Sequence, residues 1–132
     1  MALARGLMLC SVLLVSAAVA TAQRRLGAPA IVAENDEGVQ RALQFAINEY
    51  NRASNDKYSS RLAEVITVQK QLVSGIKYIL DVKIGRTTCP KSTMDVEGCA
   101  FLETAEKATC HFEVHSIPWL NQIHLLQNNC QQ

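Results

Sequence analysis

The side chains able to do chemistry in this 132-residue chain are few: three histidines (His111, His115 and His124) and five cysteines. His111 and His115 have the i, i+4 spacing that chelates zinc on a helix, but they lie in an alternating apolar–polar run characteristic of a strand. Four strand residues span about 13 Å, too far for two ligands of one metal. Solvent-facing histidines are the expectation. The cysteines Cys89, Cys99, Cys110 and Cys130 contain no C-x-x-C pair, which disfavours zinc and thiol chemistry. No G-x-S-x-G, P-loop or H-E-x-x-H motif is present, so a hydrolase built on His111 or His115 would lack a nucleophile. No cofactor and no metal are expected, and the chain reads as a non-enzyme. The unusual feature is apolar material where turns are due, in Gln71-Leu72-Val73-Ser74-Gly75 and in Ile117-Pro118-Trp119-Leu120. Trp119 is the one tryptophan, and tryptophan is favoured at interface hot spots. Two apolar tips suggest a binding edge.

The elements that must position those tips follow an N-terminal leader. Arg5 precedes an apolar run from Leu7 to Val15, and small residues end at Ala20-Thr21-Ala22, the pattern of a secretory signal peptide. Residues 1–22 are assigned to it, and residues 23–132 to a single secreted, extracellular domain. The composition is globular, at 48% hydrophobic and 19% charged, and the net charge of +1 carries no footprint of a nucleic-acid binder. The signal peptide also takes Cys10, leaving an even set of four cysteines in an exported chain, which implies two disulfides.

Residues 23–33 form an extended arm, because Pro29 opposes helix and Gly27 loosens the backbone. Val39, Ala42, Leu43, Ala46, Ile47 and Tyr50 then line one helical face, opposite Arg41, Gln44, Asn48, Glu49 and Asn51. The helix is expected to start at Asn35-Asp36 and to end at Ser54-Asn55-Asp56. From Leu62 the period becomes two. Folding back about Ser74 places Ile66 opposite Val82 and Val68 opposite Leu80, with Gly75 supplying a positive φ at the tip. Folding back about Leu120 places Cys110 opposite Cys130, Phe112 opposite Asn128 and Val114 opposite Leu126. Facing residues are close enough for a disulfide, so the pairing chosen is Cys110–Cys130 and, with it, Cys89–Cys99. Residues 87–109 are expected to be a surface excursion clipped by Cys89–Cys99. The fold class is α+β, with one amphipathic helix packed on an antiparallel sheet of four or five strands.

These residues resemble a known family. Gln71-Leu72-Val73-Ser74-Gly75 matches the Q-x-V-x-G signature of the cystatins, Pro118-Trp119 their second-loop pair, and Leu26-Gly27 their glycine-bearing arm. Four cysteines after a signal peptide are similar to the secreted, two-disulfide (type 2) cystatins, whose sequential pairing agrees with the one above. The resemblance spans nearly the whole domain, and the Cys99–Cys110 segment is shorter than in that family. It implies a reversible, tight-binding inhibitor of papain-like cysteine proteases such as cathepsins. Leu26, Gly27, the 71–75 loop, Pro118 and Trp119 would occlude the active-site cleft. It also implies a second site, since Ser54, Asn55 and Asp56 match the turn that some type 2 cystatins offer to legumain, an asparagine-specific cysteine protease. A monomer is expected, with exchange of the first hairpin between two copies as the route to a dimer, and no nucleic-acid or membrane partner. The alternative is a secreted binding or host-defence protein of cystatin fold without protease inhibition.

Overall fold

The computed structural model describes residues 27–132, so the expected signal peptide, residues 1–22, and Leu26 lie outside the described residues. In chain order it contains β1 (Ala30–Ile31), α1 (Glu37–Ala53), β2 (Tyr58–Val73), β3 (Gly75–Pro90), β4 (Ala108–Ile117) and β5 (Gln122–Gln131). The five strands form one antiparallel sheet in the order β1-β2-β3-β4-β5, with α1 packed on one face.

The helix begins where a cap is available. Asp36 Oδ1 accepts a hydrogen bond from the Val39 amide at 3.2 Å, and Glu37 meets the positive end of the helix dipole. It stops at Ser54, whose backbone is extended. Val39, Ala42, Leu43, Ala46 and Ile47 are buried against Val68, Tyr78, Leu80, Val82, Ile84, Phe112 and Val114 of the sheet. Each large apolar side chain so buried contributes about 1.5–3 kcal/mol. Phe112, fully buried, meets Tyr50 edge-on at 6.4 Å between ring centroids. The Tyr78 hydroxyl lies 2.1 Å from where a Cβ on Gly38 would be, so only glycine lets the first helical turn sit this close to β3.

Asn51, expected on the solvent face, is buried instead. Its side-chain amide donates to the Ser60 carbonyl at 2.9 Å and its side-chain oxygen accepts from the Ser60 amide at 2.8 Å. It thus satisfies a stretch of β2 near a register shift and welds the end of α1 to the sheet. Helical periodicity cannot distinguish a polar residue that faces water from one that faces an unpaired backbone group.

Two pairings also differ by one residue. Val68 does face Leu80, but Val65 pairs with Val82 and Thr67 with Asp81, leaving Ile66 as the extra residue of a bulge and 46% exposed. In the second hairpin Cys110 faces Cys130 and Phe112 faces Asn128, whereas Val114 faces Leu125 after a shift at Glu113/Val114, and Leu126 turns outward. Bulges increase local twist, and these let long strands coil around the helix. The excursion is also shorter than residues 87–109, because β3 continues to Pro90 and β4 starts at Ala108. Thr87 is fully buried, donating from its hydroxyl to the Ser59 carbonyl at 2.7 Å, and pairs with Phe101. Arg61 stacks 3.6 Å over the Phe101 ring and its Nε donates to the Cys99 carbonyl at 2.7 Å, pinning the excursion to β2. Both disulfides form as expected, Cys89–Cys99 and Cys110–Cys130.

Asn51→Ala strips partners from two buried backbone groups of Ser60, so urea unfolding should show a loss of about 2–4 kcal/mol. Asn48→Ala, on the exposed face of the same helix, should change stability by less than about 0.5 kcal/mol.

Candidate functional site

Both apolar tips project from one end of the sheet. In the first, Val73 pairs with Gly75 and Ser74 alone closes the hairpin. Gly75 has φ 101°, a conformation open to glycine, and a Cβ there would lie 2.6 Å from the Ser116 carbonyl and 3.0 Å from His115 Nε2. The tip therefore rests on the end of β4. In the second tip, Pro118–Leu120 make one 3₁₀ turn, closed by a hydrogen bond from the backbone amide of Asn121, in the left-handed region, to the Pro118 carbonyl at 3.1 Å. Leu72, Val73, Trp119 and Leu120 are exposed, Trp119 at 68%. Trp119 is thus no part of the core.

The arm reaches the same end. Gly27 has φ 100°, and the Gln71 side-chain amide donates to its carbonyl. A Cβ on Gly27 would lie 3.0 Å from the Leu72 carbonyl, so the arm lies directly against the first loop. Farther along, Ala30 pairs with Lys70 and Ile31 with Gln69. Of the residues singled out from the sequence, Gly27, Gln71, Leu72, Val73, Ser74, Gly75, Pro118 and Trp119 converge; Leu26 is outside the described residues.

Ser54, Asn55 and Asp56 lie at the opposite end of the β2–β3 ribbon, where Tyr58 pairs with Pro90. Ser54 Oγ accepts from the Asp56 amide and Asp56 Oδ1 from the Tyr58 amide, both at 3.0 Å. Arg86 Nη2 also donates to Asp56 Oδ1 at 3.0 Å, while its Nε stands 2.5 Å from Oδ2 as a charge contact without hydrogen-bond alignment. Lys91 donates to the Ser54 carbonyl. The Tyr58 amide, then Arg86, hold the Asp56 carboxyl below the usual carboxylate range, so the carboxylate that fastens this turn persists to lower pH than an ordinary one. Asn55 is left exposed at its apex. Nothing in the sequence pattern pointed to Arg86 and Lys91, which are thirty or more residues away.

On the sheet face away from α1, His111 Nδ1 is 2.6 Å from Asp81 Oδ1 and its Nε2 is 3.3 Å from Glu113 Oε2. Lys77 pairs with Glu113 at 2.6 Å, and the Thr67 hydroxyl donates to Asp81 at 2.9 Å. His115 donates instead to the Ser74 carbonyl. His111 and His115 therefore have separate partners. This arrangement can present a preformed apolar edge. A cleft of about 480 Å³ between α1 and the excursion, floored by Leu43, Ile47, Leu62 and Val96, is remote from it.

A protruding three-part edge on a helix-wrapped antiparallel sheet describes a class of binding proteins, and comparison with known proteins identifies which. The cystatin domain model matches residues 27–119, and the chain belongs to the cystatin family, whose members are protease inhibitors and not enzymes. The chain is 60% identical to a cystatin of Gallus gallus over 139 aligned positions, covering 99% of this chain and all of that one. It is 44% identical to cystatin-C of Rattus norvegicus, covering 96% of this chain and 95% of that one. With its two disulfides it is a type 2 cystatin. Among solved structures, dimeric human cystatin F superposes with a TM-score of 0.73 at 29% identity, covering 84% of this chain and 91% of that one.

The outer-face network yields a pH dependence. Asp81, and then Glu113, raise the His111 pKa above its ordinary value, so this stabilisation is complete below about pH 6.5 and lost as pH rises through the folded-state value. Lys77, then His111, lower the Glu113 pKa, so that contribution is present above about pH 4.3 and lost as pH falls through its folded-state value. His111→Gln should therefore lower the melting temperature more at pH 5.5 than at pH 8.5, as scanning calorimetry would measure.

Proposed function

We propose that this cystatin is a secreted, reversible inhibitor of papain-like cysteine proteases, cathepsins among them, that fills the active-site cleft with the edge formed by Gly27, Gln71–Gly75, Pro118 and Trp119. The observation that carries this reading is the convergence of three sequence-distant segments on one exposed apolar edge, with Gln71 bonded to the Gly27 carbonyl. The tips bring apolar surface to one side of a cleft, and the arm delivers Leu26 to the other. Positive φ at Gly27 turns the arm away from an extended path, so no scissile bond is aligned with the attacking thiolate. Docking a preformed edge loses little conformational freedom, which favours tight binding. Residues 1–22 act as the signal peptide, and two disulfides suit the oxidising route this implies. Each copy carries the complete edge, so the inhibitor works as a monomer.

A second activity is supported by a different observation. Asn55 is exposed at the apex of a turn fastened on both sides, by Arg86 at Asp56 and by Lys91 at Ser54. A rigidly presented asparagine suits legumain, and its distance along the ribbon from the papain-binding edge leaves both sites free to act together.

Trp119→Ala should weaken papain binding by about 2 kcal/mol or more, with the melting temperature unchanged because Trp119 packs in no core. Deleting residues 23–27 should raise the dissociation rate more than it lowers the association rate, since the loops still dock. Both effects are read from progress curves with a fluorogenic peptide, and unchanged inhibition in both variants would overturn the assignment. Asn55→Lys should abolish legumain inhibition and leave papain inhibition intact, because an ammonium cannot reproduce the amide's paired donor and acceptor.

A further inference from the structure

The first loop has little of its own to hold its shape. Ser74 closes the hairpin alone, Leu72 and Val73 point outward, and the Ser74 carbonyl has no strand partner at the turn. That carbonyl is instead taken by a side chain from another hairpin: His115 Nε2 lies 2.5 Å from it. A carbonyl only accepts, so Nε2 carries the proton, as it does both in the corresponding neutral tautomer and in the protonated ring. The bond therefore requires no charge on His115.

The placement is specific. His115 sits on β4 two residues before Ile117, faces Lys77 on β3 and His124 on β5, and approaches the tip from beneath. Gly75 leaves the space, since a Cβ there would fall 3.0 Å from His115 Nε2 and 3.1 Å from Ile117 Cγ1. Lys77, opposite His115, is occupied by Glu113 and does not compete for the carbonyl.

We infer that His115 is a positioning residue for protease inhibition: by capturing the Ser74 carbonyl it ties the first loop to the strand that carries the second, so that the two tips dock as one preformed surface. It is not itself a contact residue, and its action is to reduce the number of loop shapes that must be abandoned on binding. This rests on the papain-binding reading given above, but one arm of its test does not.

The test compares His115→Ala with His115→Gln, which keeps an N–H donor at similar reach. Loss of one such bond should raise the papain dissociation constant of His115→Ala roughly three- to tenfold, and His115→Gln should return it to within about twofold of the parent. In the absence of protease, amide hydrogen exchange in His115→Ala should quicken at residues 72–76 and remain unchanged through 78–84 and 110–114. An unaltered 72–76 segment would remove the tie, whatever papain does. Equal loss of affinity in Ala and Gln would make the imidazole a direct contact or a packing group, and acceleration throughout the sheet with a lowered melting temperature would make it structural; either overturns the inference. A parent protein that fails to inhibit papain while the exchange result stands would refute the functional reading and not the tie.

Discussion

The ladder between β2 and β3 is the constraint on which the rest depends. Two sixteen-residue strands pair from Tyr58↔Pro90 to Val73↔Gly75, with three register shifts that twist the ribbon around the helix. Because the pairing extends along the whole length of both strands, the turn at one end and the tip at the other are fixed relative to each other by backbone geometry, with no need for contacts between them. The helix fills the concave side and the charged network lines the convex side, so each face has its own means of holding adjacent strands together: apolar burial inside, and Asp81, His111, Glu113 and Lys77 outside.

Much of this was visible in residue order. The 3.6 period of Val39 to Tyr50 and the period of two from Leu62 onward place one helix on an antiparallel sheet, and facing positions Cys110 and Cys130 predict their own disulfide. The apolar tips stood out because turns normally carry polar residues. What could not be read was anything that breaks the period. Ile66 and Leu126 lie one step from where strict alternation puts them because a bulge is invisible to an alternation rule, and Asn51 turns inward because its partner is a strand's backbone.

The ties between segments were equally illegible, and for a related reason. Gln71 to Gly27, Arg86 to Asp56, Lys91 to Ser54 and His115 to Ser74 are each a single side chain meeting a group far away in sequence, mostly a carbonyl. Every residue offers a carbonyl, so composition says nothing about which one is chosen. These bonds shape the exposed ends, whereas the patterned residues build the middle. The division follows from energetics: a core accepts many apolar arrangements, while a protruding tip with few neighbours must be fastened by specific donors.

The two disulfides have a placement whose consequence is easily passed over. Cys89–Cys99 lies at the end of β3 remote from Ser74, and Cys110–Cys130 joins β4 and β5 at the end remote from Trp119. Among the described residues, the covalent cross-links are therefore concentrated at one pole of the molecule, together with the Asn55 turn, and the apolar edge stands at the other. Thiol exchange at the stapled pole would loosen strand ends a full strand length from the apolar edge. A change in the redox state of the surroundings thus acts first on the lifetime of the fold, and only through unfolding on what the apolar edge can grip.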